Sequence, residues 1–301
     1  MQKIPTKKYI CTVSDDHYLS RGLSLVESLK KYNENIHVFY LCVNKKCVDA
    51  VKNLKIDYVE FVDIKNVING DERFLNIIPS REATAVGQAT EISQDLIELV
   101  YKMSSYFPKY CLKTYDIDHV IYADSDIYFY NSLNSIYEDV GDKSFGIVEH
   151  RLPYTGCGKY NVGVIYNKND KIGNSILDFW SYCVLDPNNP FSEQFGTCGD
   201  QKYLELIYQL YGDKNISIIG NLTGHLAPWN LRYHQYKHEK GKIIWNDNIQ
   251  DLVYIHYSNF IADIDNMTYK VGPRHGIDRV DGVPWLAEMC EEYLKSIKDN
   301  S

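Results

Sequence analysis

Two carboxylates one residue apart stand inside an apolar run, Val120-Ile121-Tyr122-Ala123-Asp124-Ser125-Asp126-Ile127-Tyr128-Phe129. A run of this kind, bounded by polar segments, predicts a buried strand. Residues two apart in a strand point the same way, so Asp124 and Asp126 converge and Ser125 faces away. Two ionised carboxylates in an apolar setting repel each other and resist desolvation. They require a cation, and oxygen ligands suit a hard ion such as Mg2+ or Mn2+. Such an ion, held by few protein ligands, commonly shares itself with a phosphate. The expected chemistry is a metal–diphosphate site at a strand end. The plainer reading is two loop aspartates capping a turn.

Further polar residues interrupt apolar segments elsewhere. Ser14, Asp15 and Asp16 follow the β-rich run Tyr9–Val13, and one of them can also N-cap the helix that comes next. Asn161 and Gly163 sit inside the strand pattern Tyr160–Tyr166. A Gly there marks close approach of a ligand or backbone, and a buried Asn needs partners, a sugar hydroxyl among them. Gly199-Asp200-Gln201 opens a helix running to Leu210, with Asp200 a natural N-cap. His256 ends the apolar strand Leu252–Tyr257. A lone His in such a strand is ordinarily a satisfied core residue, and its weight depends on whether it meets the aspartates in space.

The elements that must position these groups alternate. Strands over Tyr9–Val13, Ile36–Val43 and Tyr58–Val62 enclose helices over Leu19–Tyr32 and Val48–Leu54. This βαβαβ order predicts an α/β fold with a parallel sheet covered by helices, whose ligands bind at the carboxyl ends of the strands. A helix over Glu91–Phe107 carries Lys102. Strands follow over Phe145–Glu149 and Tyr160–Tyr166, then helices over Ile172–Tyr182 and Trp285–Lys298. The segment Asn221–Asn230, with His225 and Trp229, reads as an irregular loop, the kind that tends to be functional.

Composition bounds the rest. The 301 residues, 45% hydrophobic and 24% charged, suit a globular chain with a sizeable core. No repeat or linker divides them, so a single domain over 1–301 is expected. A net charge of -8 argues against a nucleic-acid partner. The 8 cysteines form no C-x-x-C pair, which argues for free thiols in a reducing compartment over zinc or a disulfide framework. No signal peptide or membrane-spanning run appears. The expectation is a cytoplasmic protein, with peripheral contact at the inner face of the membrane left open. The 26 tyrosines offer packing with polar tips at the surface, or stacking against carbohydrate or nucleotide.

Taken in order, Ser-Asp-Asp after a first strand, Asp-Ser-Asp, Asn-Val-Gly-Val, Gly-Asp-Gln and a late Ile-His-Tyr resemble the nucleotide-sugar-dependent glycosyltransferases of the GT-A fold. The resemblance is greatest to glycosyltransferase family 8, which includes glycogenin and bacterial lipopolysaccharide galactosyl- and glucosyltransferases. It spans roughly residues 8 to 260, by motif order. It implies a Rossmann-like, mixed and mostly parallel sheet flanked by helices. It also implies a retaining, Mn2+- or Mg2+-dependent transfer of a hexose from a UDP-sugar to a glycan, glycolipid or other hydroxyl acceptor. By this resemblance Asp124, Asp126 and His256 bind the metal. Val13, Ser14, Asp15, His17 and Tyr18 meet the nucleotide. Lys102 falls near a donor-binding arginine of the family, with a longer spacing to Asp124. Ser125, Asn161, Val162 and Gly163 line the donor, and Asp200 and Gln201 stand beside the anomeric carbon.

The family commonly follows its His with a Gly-containing turn and Lys-Pro-Trp, whose lysine holds the diphosphate. Here Tyr257-Ser258-Asn259-Phe260 follows instead. Arg274 and His275 are candidates for the missing charge, and Trp229 and Asn230 for the acceptor side. Two other readings remain. A sugar nucleotidyltransferase would ordinarily carry a Gly-rich basic loop where Ser14-Asp15-Asp16-His17 is acidic. A non-catalytic nucleotide-sugar or glycan-binding protein would tolerate the missing lysine.

Overall fold

The computed structural model describes residues 4–69, 71, 74, 94–153, 156–186, 188–280 and 282–301. The chain begins β1 (Lys8–Ser14), α1 (Leu19–Tyr32), β2 (Ile36–Cys42), α2 (Lys45–Val51), β3 (Val59–Asp63) and a single turn, α3 (Ile64–Val67). It continues with α4 (Gln94–Thr114), β4 (His119–Ala123), β5 (Ile127–Phe129), α5 (Asn134–Val140), β6 (Phe145–Glu149), β7 (Tyr160–Lys168), α6 (Lys171–Leu185), α7 (Ser192–Phe195) and α8 (Tyr203–Asn215). The remainder is β8 (Ile216–Ile219), β9 (Thr223–Leu226), α9 (Pro228–Tyr233), β10 (Lys237–Glu239), β11 (Lys242–Trp245), β12 (Asn248–His256), β13 (Ile261–Asp263), β14 (Thr268–Lys270) and α10 (Pro284–Asp299).

A seven-stranded sheet runs in the order β3-β2-β1-β4-β7-β6-β8. Its pairs are parallel except where β7 meets β4 and β6. Alternation along β1 divides its side chains between two cores. Cys11 and Val13 join the cluster under α4, α6 and α8, whereas Ile10 joins the cluster under α1 and α5. Leu25, Val26 and Leu29 of α1, spaced as one helical face, close that second side. A second sheet, β10-β11-β12-β5 with β9 beside β12, packs with α10 over a third core.

Several expectations shift. The run over 120–129 is not one strand: β4 and β5 lie in different sheets, and Asp124-Ser125-Asp126 turns between them, with the Ile127 N–H donating to the Asp124 carbonyl at 3.1 Å. A straight strand would carry both carboxylates through the middle of a packed sheet. Turning there leaves each apolar half its own sheet and keeps the charges at the edge. The segment over 221–230 is not an irregular loop, because β9 is buried throughout and α9 follows it. Its polar-looking sequence hides a strand whose backbone pairs in parallel with β12. The helix expected over 91–107 runs from Gln94 to Thr114, and 91–93 lie outside the described residues.

Candidate active site

Strand pairing brings the three candidate metal ligands together. β12 runs antiparallel to β5, and His256 stands opposite Ile127. The Tyr257 N–H donates to the Asp126 carbonyl at 2.8 Å. His256 Nε2 therefore lies 3.0 Å from Asp126 Oδ1 and 3.7 Å from Asp124 Oδ2. One ligand atom from each of the three residues falls within 4.8 Å of the others. On the other side, the Asp124 N–H donates to the Gly163 carbonyl at 2.9 Å, continuing the β4–β7 pairing. A Cβ on Gly163 would stand 2.6 Å from His256 Nδ1 and 2.6 Å from Asn161 Oδ1. Only glycine allows the histidine this close to the sheet.

The charges in this cluster respond to one another. Burial opposes protonation of His256, but Asp126 and then Asp124 outweigh it and raise the pKa. Burial works against an ionised Asp126 too, but His256 and Arg21 pull its pKa below the usual value. Asp124 goes the other way: burial raises its pKa, opposed by His256 and by the Tyr122 hydroxyl, which donates to Oδ1 at 2.7 Å. Two carboxylates and an imidazole in mutual reach are a donor set for a hard or borderline divalent ion such as Mg2+ or Mn2+. The residues fit the group.

The residues expected on the nucleotide side lie at the end of β1 and the start of α1. Ser14 ends β1 and Asp15 follows it, buried, with Oδ1 accepting from the Tyr18 N–H at 2.9 Å. None of Ser14, Asp15 and Asp16 is the N-cap of α1, which is Tyr18 with no side-chain cap; Asp15 stabilises the turn before it. His17 is exposed and Val13 buried. Burial pushes the Tyr18 hydroxyl to about 12; Asp126 and Asp15 add to this, and Arg21 and Arg274 oppose it. Tyr18 thus stands between the end of β1 and the aspartates. Arg21 lies 4.6 Å from the Tyr18 ring and donates to the Phe260 carbonyl at 2.7 Å.

Asp200 and Gln201 lie in the turn before α8, and Asp200 feels the charge of Asp124. Asp200 is not a helix cap, because α8 starts at Tyr203 after Lys202. Its carboxyl is buried instead and accepts from the Ser104 hydroxyl of α4, while its carbonyl accepts from Trp180 Nε1 of α6 at 3.0 Å. Burial raises the Asp200 pKa to about 7; the Ser104 bond restrains the rise and Asp124 adds to it. Gly199 has φ +63, a conformation that favours glycine, and the Tyr101 ring packs where its Cβ would be, 2.9 Å away. Gln201 Oε1 accepts from Asn161 Nδ2 at 2.9 Å, and Gln201 Nε2 donates to the Cys157 carbonyl at 3.2 Å.

Lys102 lies 4.0 Å from Glu98; Tyr101 and Ser104 of the same helix reach the site. One expectation is corrected. Trp229 and Asn230 are buried, at 8% and 0% exposure, and offer no open surface to an acceptor. Trp229 packs edge-on against His256, His150 and His275, with centroids 5.1, 5.6 and 5.3 Å apart. Tyr101, Ser104 and His150 carry no motif. The heptad-like apolar spacing of α4 could have identified its face, but not what Ser104 would meet.

No protein-family model matches the chain. It is 25% identical over 302 residues to the uncharacterized protein YfnF of Bacillus subtilis strain 168, covering 95% of this chain and 91% of that one. It is 18% identical over 260 residues to the uncharacterized protein YfnD of the same strain, covering 84% and 78%. Among solved structures it is similar to the galactosyltransferase LgtC in complex with donor and acceptor sugar analogues. That likeness has a TM-score of 0.55 and 17% identity, over 96% of this chain and 95% of that one. An active-site mutant of LgtC superposes with a TM-score of 0.53 at 15% identity, over 96% and 95%. The mixed sheet with its flanking helices, the turn bearing Asp124 and Asp126, and these superpositions agree: the chain has the GT-A glycosyltransferase fold.

Proposed function

We propose that the protein is a divalent-metal-dependent glycosyltransferase that moves a hexose from a UDP-sugar to a hydroxyl acceptor, with retention of configuration, and that residues 1–301 act as one domain. The observation that carries this reading is the Asp124–Asp126–His256 cluster at the carboxyl end of β4, facing Asp200 and Gln201. Asp124, Asp126 and His256 would hold Mn2+ or Mg2+, which supplies Lewis-acid stabilisation of the departing diphosphate. Val13, Ser14, Asp15, His17 and Tyr18 would receive the nucleotide. Ser125, Asn161, Val162 and Gly163 would line the donor sugar. Asp200 and Gln201 would orient that sugar and stabilise positive charge at its anomeric carbon. Lys102 of α4, 4.0 Å from Glu98, would approach the donor, and the positive contact to the diphosphate falls to another residue.

Arg274 suits that task. Burial raises the pKa of Tyr18 and of Tyr101, and the charge of Arg274 opposes the rise at both, which puts Arg274 within electrostatic reach of each. Arg274→Ala is expected to weaken UDP binding about tenfold. Among the described residues no helix is long and apolar enough to cross a membrane. A glycan or glycolipid at the inner membrane face is the acceptor class the reading favours. The test is incubation with a panel of UDP-sugars and Mn2+. UDP release that EDTA abolishes supports the reading. Silence across the panel, with UDP still bound, favours a non-catalytic binding protein. Formation of a UDP-sugar from UTP and a sugar phosphate favours the nucleotidyltransferase.

A further inference from the structure

His150 follows β6 and is 5% exposed. Its Nδ1 lies 2.8 Å from the Gly158 carbonyl. A carbonyl only accepts, so Nδ1 carries the hydrogen. Burial drives the imidazole pKa down to about 4, so the ring is neutral at ordinary pH and Nε2 is an acceptor. That nitrogen faces Asn161 Nδ2 at 3.4 Å.

The Asn161 amide is held the matching way round. Its Oδ1 accepts from the Gly163 N–H at 2.8 Å, which leaves Nδ2 for His150 on one side and for Gln201 Oε1, at 2.9 Å, on the other. With Oε1 accepting, Gln201 must present Nε2 to the Cys157 carbonyl at 3.2 Å. A side-chain amide has two N–H groups, so the second is free to meet an oxygen in the site. The chain of bonds is anchored on backbone groups at both ends and at its middle. Reversing any amide would set donor against donor. The His150 ring itself cannot swing freely, because its edge packs on Trp229, which packs in turn on His256.

We propose that His150 is a positioning residue that fixes, through Asn161, which end of the Gln201 amide faces the substrate. This inference rests on the reading of Gln201 as a reaction-side residue. His150 touches no substrate; it acts by polarity, not by charge. His150→Phe keeps the ring edge for Trp229 and removes the acceptor. His150→Gln keeps an oxygen able to accept.

The experiment has two readouts. The side-chain amide signals of Asn161 and Gln201, assigned with Asn161→Ala and Gln201→Ala, report the hydrogen bonds whether or not the protein turns over. His150→Phe is expected to speed exchange of these amide protons about tenfold, and His150→Gln to restore protection. In turnover, His150→Phe is expected to lower kcat about tenfold with donor KM nearly unchanged, and to add nothing in the Gln201→Ala background. Unchanged amide signals in His150→Phe, or an effect on kcat that simply multiplies with that of Gln201→Ala, would overturn the inference. If the wild type releases no UDP from any sugar, the transferase reading fails, and the amide signals alone decide whether His150 orients Gln201. Should His150→Phe not fold, His150→Gln and His150→Ala, compared on the same signals, decide it.

Discussion

The Asp124–Asp126–His256 cluster and the corner at Gly199-Asp200-Gln201 are built in opposite ways. In the cluster, backbone pairing does the positioning: β5 against β12 delivers His256 to Asp126, and β4 against β7 delivers Gly163 to Asp124. Its charges are opposed and compensate one another. In the corner, Asp200 is buried with a hydroxyl for a partner, and Gln201 is held by side-chain amides. A hydroxyl cannot neutralise a carboxylate, so the proton is retained to a pH of about 7. The cluster is thus fixed by many cooperative bonds, whereas single side chains can loosen the corner.

The sharpest way to break this contrast is to remove a charge from the cluster. Asp126→Ala is expected to abolish Mn2+ binding and to lower turnover by at least about a hundredfold. Calorimetric titration with Mn2+ beside a UDP-release assay checks it, and retained binding would refute the metal site. Gly163→Ala attacks the same cluster from the backbone side. The new methyl would push on His256 Nδ1 and Asn161 Oδ1, and metal affinity is expected to fall roughly 10–100-fold while the protein stays folded.

The corner should answer to pH instead. Burial makes the folded protein hold the Asp200 proton up to about pH 7, whereas the unfolded chain releases it near the ordinary carboxylate value of 3.8. Between these values the native state binds more protons, so Asp200 makes stability fall as pH rises. Asp200→Asn removes this penalty. Its stability relative to wild type is expected to improve between pH 4 and pH 7 by a few kcal/mol and to level off above. Urea unfolding at pH 5 and pH 8 measures it, and a pH-independent difference would show that Asp200 is ionised throughout. Ser104→Ala gives the smallest effect, a loss of about 1–3 kcal/mol. The Ser104 bond lowers the Asp200 pKa, so its removal should move the titration upward, readable by carboxyl 13C shifts.

Much of the fold was legible because its elements carry strong periodicity. β1 to β3 with α1 between them, β6, β7, α6, β12 and α10 announce themselves by apolar runs or helical stripes. The Asp-Ser-Asp pair, Asp15 and the turn into Asp200 were visible as polar breaks in those patterns. β9 was not, because His225 and Thr223 disguise a buried strand whose stability comes from pairing with β12. Ser104, on the same helix as Lys102, carried no motif, and its bond to Asp200 was not legible.

By itself the sequence determined the residue types at the centre: two carboxylates flanked by apolar segments, a histidine at a strand end, and an aspartate followed by a glutamine after glycine. Local periodicity and the aversion of buried charge to solitude suffice for that. Only the tertiary structure decided which of them meet. His256 reaches Asp126 because β12 pairs with β5, which sets His256 opposite Ile127, 129 residues earlier in the chain. Ser104 reaches Asp200, and His150 reaches Gln201 through Asn161, across separations that no local pattern encodes. The physical reason is the same in each case: long-range pairing and packing select side-chain neighbours by geometry, and short polar side chains carry no sequence signal of the partner they will find.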